Sequence, residues 1–88
     1  MTNDETLIKF PCEFLIKIIG KNSELFVEEI IAIAKKYYPD LQDTAIRRKP
    51  SQQGTYLAIS ITVYAQDQAT LDALYIKLTQ HPDIKMVL

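Results

Sequence analysis

The chain contains one histidine and one cysteine, the two side chains best suited to nucleophilic catalysis or metal binding. Covalent catalysis needs a nucleophile, a base and an orienting group, but His81 stands beside Pro82 with no serine or cysteine at a recognisable spacing. Cys12 is not followed two residues later by a second cysteine, as a copper or zinc carrier would require. We interpret His81 as a residue that ends a helix and Cys12 as a buried, unreactive thiol. The sequence predicts no catalytic residue, no metal site and no cofactor.

The segment Gly20-Lys21-Asn22-Ser23 is the best candidate for binding a small anion. It places backbone N–H groups and one lysine at the predicted start of a helix, where a carboxylate is stabilised. An acylphosphatase would need an arginine among glycines in this loop, which the chain lacks. A glycine with a positive φ accounts for the same residues without any ligand, and this structural role is favoured. The candidate ligand-binding residues are Gly20, Lys21 and Asn22.

A run of basic residues, Arg47-Arg48-Lys49, precedes Gly54 and Tyr56. Readers of single-stranded RNA that use an open sheet carry aromatic side chains on both of its central strands. On that side the first predicted strand offers Glu13, Leu15, Lys17 and Ile19 instead. A solvated basic edge that discourages aggregation is therefore the favoured interpretation. Weak binding of single-stranded RNA through the second strand and the open face stays the alternative function.

Hydrophobic periodicity predicts the elements that position these residues. Strands are expected at 12–19, 44–49, 56–65 and 84–88, and helices at 24–38 and 68–80. Ser23 or Asn22 is the expected N-cap of the first helix and Asp67 that of the second, while Pro39 ends the first helix. The apolar stripes of the helices are Leu25, Phe26, Ile30, Ile33, Ala34 and Tyr37, and then Leu71, Leu74, Tyr75 and Leu78.

The element order β-α-β-β-α-β predicts an α+β fold, a ferredoxin-like sandwich. Its four-stranded antiparallel sheet should have the order 4-1-3-2, with both helices on one face and the two most apolar strands in the centre. We expect a single domain over residues 1–88, in which residues 1–9 form a loosely ordered N-terminal extension. The predicted core face of the central strands consists of Phe14, Ile16, Ile18, Leu57, Ile59, Ile61 and Val63.

The sheet face opposite the helices should stay uncovered, and its residues are more apolar than those of a fully solvated surface. Self-association, by facing sheets or by pairing of edge strands, is the simplest way to cover it, and another protein partner is the alternative. The candidate interaction face consists of Leu15, Lys17, Ile19, Tyr56, Ala58, Ser60, Thr62 and Tyr64, with Val87 at its margin.

Composition narrows the classes of partner. Ten basic residues stand against eleven acidic ones, so no overall field attracts nucleic acid or an anionic membrane. No apolar run approaches the roughly 20 residues of a membrane span. Asp4 and Glu5 stand where a signal peptide needs basic residues, and a single cysteine suits a reducing compartment. The sequence therefore predicts a cytoplasmic domain that does not bind a membrane, and it disfavours nucleic acid as a partner.

Several short segments together resemble the bacterial YbeD-like family of unknown function over nearly the whole chain. They are Phe10-Pro11, Lys17-Ile18-Ile19-Gly20, the run from Lys49-Pro50-Ser51 to Gly54 and Tyr56, Ile59-Ser60-Ile61-Thr62 and Met86-Val87-Leu88. The resemblance implies a ferredoxin-like domain similar to ACT regulatory domains, which bind small effectors, often amino acids, at interfaces between subunits. It implies no established activity. By position, the effector site would involve the Gly20-Lys21-Asn22 turn.

These observations lead to one functional hypothesis. The chain is expected to be a non-enzymatic regulatory or protein-interaction domain of ACT-like form, because it combines the predicted strand order and a half-apolar open face with no recognisable catalytic group. A homodimer and a small carboxylate effector at the turn are its predicted partners.

Overall fold

The computed structural model describes residues 9–88, so the extension predicted for residues 1–9 lies outside the described residues, apart from Lys9. The strands are β1 (Cys12–Lys21), β2 (Ile46–Pro50), β3 (Tyr56–Ala65) and β4 (Ile84–Val87), and the helices are α1 (Glu24–Tyr37) and α2 (Gln68–Thr79). A short 3₁₀ turn, Asp43–Ala45, occupies the start predicted for β2. No helix of the described part is long and apolar enough to cross a bilayer.

The four strands form one antiparallel sheet with the order β2-β3-β1-β4. The predicted ferredoxin-like arrangement is confirmed, with the two ten-residue strands in the centre. Ile16 lies opposite Ile61 and Ile18 opposite Ile59, so the alternation of each strand brings its apolar residues to the same face. Both helices pack on that face.

The helices begin where the sequence places their caps. The Ser23 hydroxyl accepts a hydrogen bond from the Phe26 N–H at 3.1 Å, and the Asp67 carboxylate accepts one from the Thr70 N–H at 2.7 Å. Each bond satisfies one of the backbone donors that the first turn of a helix leaves unpaired. Lys35 in the last turn of α1 complements the helix dipole. The expected N-caps are therefore confirmed.

The buried core joins the inner sheet face to one side of each helix. Its fully excluded side chains include Ile16, Ile18, Phe26, Ile30, Ile59, Ile61, Leu71, Leu74 and Leu78. One predicted member is wrong, because the Leu25 side chain is 64% exposed and Val27 is buried in its place. At about 100° per residue, the buried Phe26, Val27 and Ile30 lie about 100–200° around the helix from Leu25, so Leu25 faces away from the sheet.

Candidate interaction face and the β1–α1 turn

The residues predicted to form an interaction face do share one surface. Across β1 and β3, Leu15 lies opposite Thr62, Lys17 opposite Ser60 and Ile19 opposite Ala58. Directly opposed residues of antiparallel strands point to the same side of a sheet. The register also pairs Glu13 with Tyr64 and Lys21 with Tyr56. All eight predicted residues therefore lie on the face opposite the helices, which we call the open face.

The edge strand β4 adds two apolar residues that the sequence prediction missed. Met86 lies opposite Ile19, and Leu88 exchanges backbone hydrogen bonds of 3.1 and 2.7 Å with Lys17, so both side chains belong to the open face. Val87 was expected there, and that prediction is wrong, because it lies opposite Ile18 and packs against the core. A strand of four residues has too little alternation to show which of its faces is buried.

The open face combines apolar and basic side chains. Among residues 9–88 seven large hydrophobic side chains are exposed, and five of them lie here: Leu15, Tyr56, Tyr64, Met86 and Leu88. The β2 edge adds Arg47 opposite Ser60 and Lys49 opposite Ala58. Lys17, Arg47 and Lys49, which we call the basic cluster, line a shallow hollow together with Arg48, Ser60 and Ala58. Within the described part no carboxylate forms a salt bridge with these three residues, whereas Arg48 pairs with Glu24 at 3.2 Å.

Gly20 has a different role from the one predicted. Its φ is not positive, since Gly54 with φ of 75° is the one residue of the described part in that region. Gly20 lies in β1 beside an irregularity of the β1–β4 register. A Cβ atom there would lie 2.6 Å from the Asp83 carbonyl oxygen and would overlap the Phe26 ring. The glycine is therefore required for close packing, and the strand continues two residues beyond its predicted end.

Around this glycine the turn is held by its own contacts. The Lys21 N–H donates to the Asp83 carbonyl at 3.1 Å, and the Asn22 side-chain amide donates to the Gly54 carbonyl at 2.9 Å. Gly20 is buried, whereas the Lys21 and Asn22 side chains are exposed, and the register pairs Lys21 with Tyr56 of the open face. Carboxylate binding at these three residues stays a prediction.

His81 does more than follow a helix end. Its Nε2 lies 2.7 Å from a carboxylate oxygen of Glu29, and its Nδ1 accepts a hydrogen bond from the Asp83 N–H at 3.1 Å. Because Nδ1 is an acceptor, Nε2 carries the proton that is donated to Glu29. The imidazole also packs edge-on against the Phe26 ring at 5.3 Å. His81 thus connects the α2–β4 turn to α1, while Cys12, expected to be buried, is partly exposed.

Comparison with known proteins agrees with this fold and gives a family. The model of a protein family of unknown function, DUF493, matches residues 5–88. A UPF0250 protein of Nitrosomonas europaea is 40% identical over 85 residues, covering 97% of this chain and 98% of the relative. A UPF0250 protein of Paraburkholderia phytofirmans is 36% identical over 85 residues, covering 97% and 96%.

Solved structures show the same architecture. The crystal structure of the ACT domain from GTP pyrophosphokinase of Chlorobium tepidum matches with a TM-score of 0.69 at 16% sequence identity, covering 88% of this chain and 95% of that one. The solution structure of the same domain gives a TM-score of 0.65 at 18% identity, covering 86% and 84%. These matches confirm the predicted ACT-like fold, and at such identities they show the fold alone.

Proposed function

The chain belongs to the DUF493 (UPF0250) family, whose function is unknown. From the properties of its surface we propose that the chain is a non-enzymatic domain that binds protein through its open face. The supporting observation is the concentration of five exposed large apolar side chains on one sheet face. Large apolar side chains gathered on one face of a small domain indicate a contact surface. The cytoplasm is the compartment that the sequence predicts for it.

The dimensions of the open face suit a protein partner. The four strands contain 10, 5, 10 and 4 residues, and at about 3.3 Å per residue and about 4.8 Å between strands they give a flat face of roughly 450 Å², to which the relief of the side chains adds. A standard protein interface buries about 800 Å² on each partner. Tyr56 and Tyr64, at opposite ends of β3, add aromatic side chains of the kind enriched in such interfaces.

A second copy of the chain is the partner that we propose first. Pairing of two open faces would bury Leu15, Ile19, Met86 and Leu88 of each copy, which a domain of this size can use because it buries little apolar surface by itself. Sedimentation of the wild-type chain over a wide concentration range should show a monomer–dimer equilibrium. The variant L15Q/M86Q should shift that equilibrium towards the monomer by at least tenfold.

A matched control distinguishes the open face from general surface hydrophobicity. Leu25 and Ile76 are 64% and 59% exposed on the helices, and Leu15 and Met86 are 59% and 49% exposed on the open face. L25Q/I76Q should therefore leave the dimer unchanged. A wild-type chain that stays monomeric at high concentration, or a dimer weakened equally by both double variants, would contradict self-association through the open face.

For a small carboxylate at the β1–α1 turn, the support is an exposed lysine, Lys21, three residues before α1 begins in the chain. Thermal unfolding with a panel of free amino acids should then show stabilisation of the wild type that is lost in K21Q. K36Q removes an exposed lysine in the last turn of the same helix and should keep the response. If no carboxylate stabilises the wild type, the proposed effector is ruled out.

Binding of single-stranded RNA is the second candidate function, and the basic cluster is the observation that favours it. Titration of a short RNA strand at two salt concentrations separates the candidates, because three neutralised phosphates would give a slope of log affinity against log salt of about −2. R47Q/K49Q should abolish such binding, whereas K35Q/K36Q, on α1, should not. Salt-insensitive or undetectable RNA binding would leave protein binding as the single candidate.

A further inference from the structure

A cleft of about 460 Å³ lies at the end of the molecule opposite the β1–α1 turn. It is open to solvent and is bordered by the C-terminal end of α1, the segment 39–45, the end of β3 and the start of α2. Its volume falls within the range of about 300–1,000 Å³ in which small-molecule sites occur. Tyr37, Tyr38 and Tyr64 form aromatic parts of its wall, and Leu41 and Val63 form aliphatic parts.

The charged residues that line the cleft are all acidic. Two carboxylates, Asp40 and Asp67, line it, and none of its described lining residues is a lysine, an arginine or a histidine. A start of a helix would ordinarily favour an anion, but here the Asp67 carboxylate already accepts the Thr70 N–H at 2.7 Å. The N-terminus of α2 is therefore already occupied by a negatively charged side chain.

Two further observations connect Asp67 with the aromatic wall. The hydrogen bonds from Thr70 hold the pKa of the Asp67 carboxyl below its usual value, so the group is charged at neutral pH. Burial, and then the Asp67 charge, raise the pKa of the Tyr38 hydroxyl. This hydroxyl oxygen is excluded from solvent and has no hydrogen-bond partner within residues 9–88. A buried polar atom without a partner is uncommon in a folded protein.

We propose that this cleft binds a small organic cation, a primary amine whose ammonium group lies against Asp67 and the tyrosine rings while its carbon chain contacts Leu41 and Val63. Tyrosine faces attract cations through their quadrupole, and the effect adds to the charge of a nearby carboxylate. This cleft and the predicted carboxylate site at the β1–α1 turn lie at opposite ends of α1, and their ligands have opposite charges. The two are therefore separate sites.

A series of ligands that differ only in charge tests the proposal. Amide chemical shifts of the ¹⁵N-labelled chain would be followed on titration with n-butylammonium, n-butanol and butyrate at constant ionic strength. Butylammonium should shift the signals of Tyr64, Gln66 and Thr70 saturably, with a dissociation constant in the millimolar range expected for so small a ligand. Butanol should bind several-fold more weakly, and butyrate should cause no saturable shift.

One conservative variant isolates the charge. D67N keeps an N-cap residue as effective as aspartate and removes the carboxylate, so α2 should stay formed while the affinity for butylammonium falls about fivefold or more. D72N makes the same substitution on the outer side of α2, where Asp72 contacts Gln68 and does not line the cleft, and it should leave the affinity unchanged. Equal shifts with all three ligands, tighter binding of butyrate, or unchanged affinity in D67N would overturn the proposal.

Discussion

At the scale of single residues, Gly20 shows how one position can have two different structural explanations. Glycine is used where φ is positive or where backbone and side chains approach too closely for a Cβ atom. Only the second reason applies here, because the space that a Cβ would take is occupied by the Phe26 ring and the Asp83 carbonyl. A peptide carbonyl cannot rotate away as the end of a side chain can.

G20A should therefore destabilise the fold by about 1–3 kcal/mol, the usual cost of forcing an extra carbon into a packed site. Chemical denaturation monitored by tyrosine fluorescence would measure the change. G54N is the control, because Gly54 has a positive φ that asparagine tolerates, and no atom lies within 4 Å of the position that its Cβ would take. Stability of G20A equal to that of the wild type would show that Phe26 and Asp83 yield more easily than their packing indicates.

A second residue-scale prediction concerns alkaline pH. Burial raises the pKa of Tyr38 above its ordinary value of 10.0, so in the folded chain this phenol keeps its proton at a pH where the unfolded chain has lost it. The contribution of Tyr38 to stability is complete below about pH 10 and is lost as pH rises through the raised pKa. Y38F should reduce this alkaline loss, while Y64F, at an exposed tyrosine, should not. The unfolding midpoints of the wild type and both variants would be measured from pH 8 to 11. The same pH dependence in Y38F and the wild type would contradict a stabilising role of the buried Tyr38 phenol.

At the scale of elements, the sequence predicted what local chemistry determines. The N-caps Ser23 and Asp67 and the bounds of β3 follow from residues that are neighbours in the chain. The phase of β4 does not, because it is set by pairing with β1, by the irregularity beside Gly20 and by the backbone bonds between Leu88 and Lys17. The open face was therefore predicted across β1 and β3, and its β4 margin was not.

The contact between His81 and Glu29 is another feature that no local pattern contains, since 52 residues separate the two. It holds α1 against the α2–β4 turn, and the His81 side chain is only 10% exposed while that of Glu29 is 45% exposed. Partial burial of one partner makes this pair more effective than a fully exposed surface pair.

A double-mutant cycle would test that connection between elements. H81A, E29A and the double variant should give a coupling energy of about 0.5–1.5 kcal/mol, the range of an ordinary intramolecular hydrogen bond. H81A alone should cost more than E29A, since it also removes the contact with Phe26 and the acceptor for the Asp83 N–H. Additive effects of the two substitutions, measured by chemical denaturation, would show that Glu29 and His81 do not stabilise each other in solution.

At the scale of the whole molecule, the two faces of the sheet have different roles. One face carries both helices and the core, and the other carries Leu15, Met86 and Leu88 into solvent. A chain of 88 residues buries only about 60–65% of its unfolded surface, so its stability as a monomer is modest. Association through the open face would be coupled to folding, because only the folded chain presents that face.

That coupling gives a prediction which does not depend on observing the dimer directly. If the folded chain associates and the unfolded chain does not, mass action raises the unfolding midpoint with protein concentration. The wild type and L25Q/I76Q should show this rise over a hundredfold range of concentration, and L15Q/M86Q should not. Calorimetry at low and high concentration would measure it. A midpoint independent of concentration in the wild type would contradict self-association through the open face.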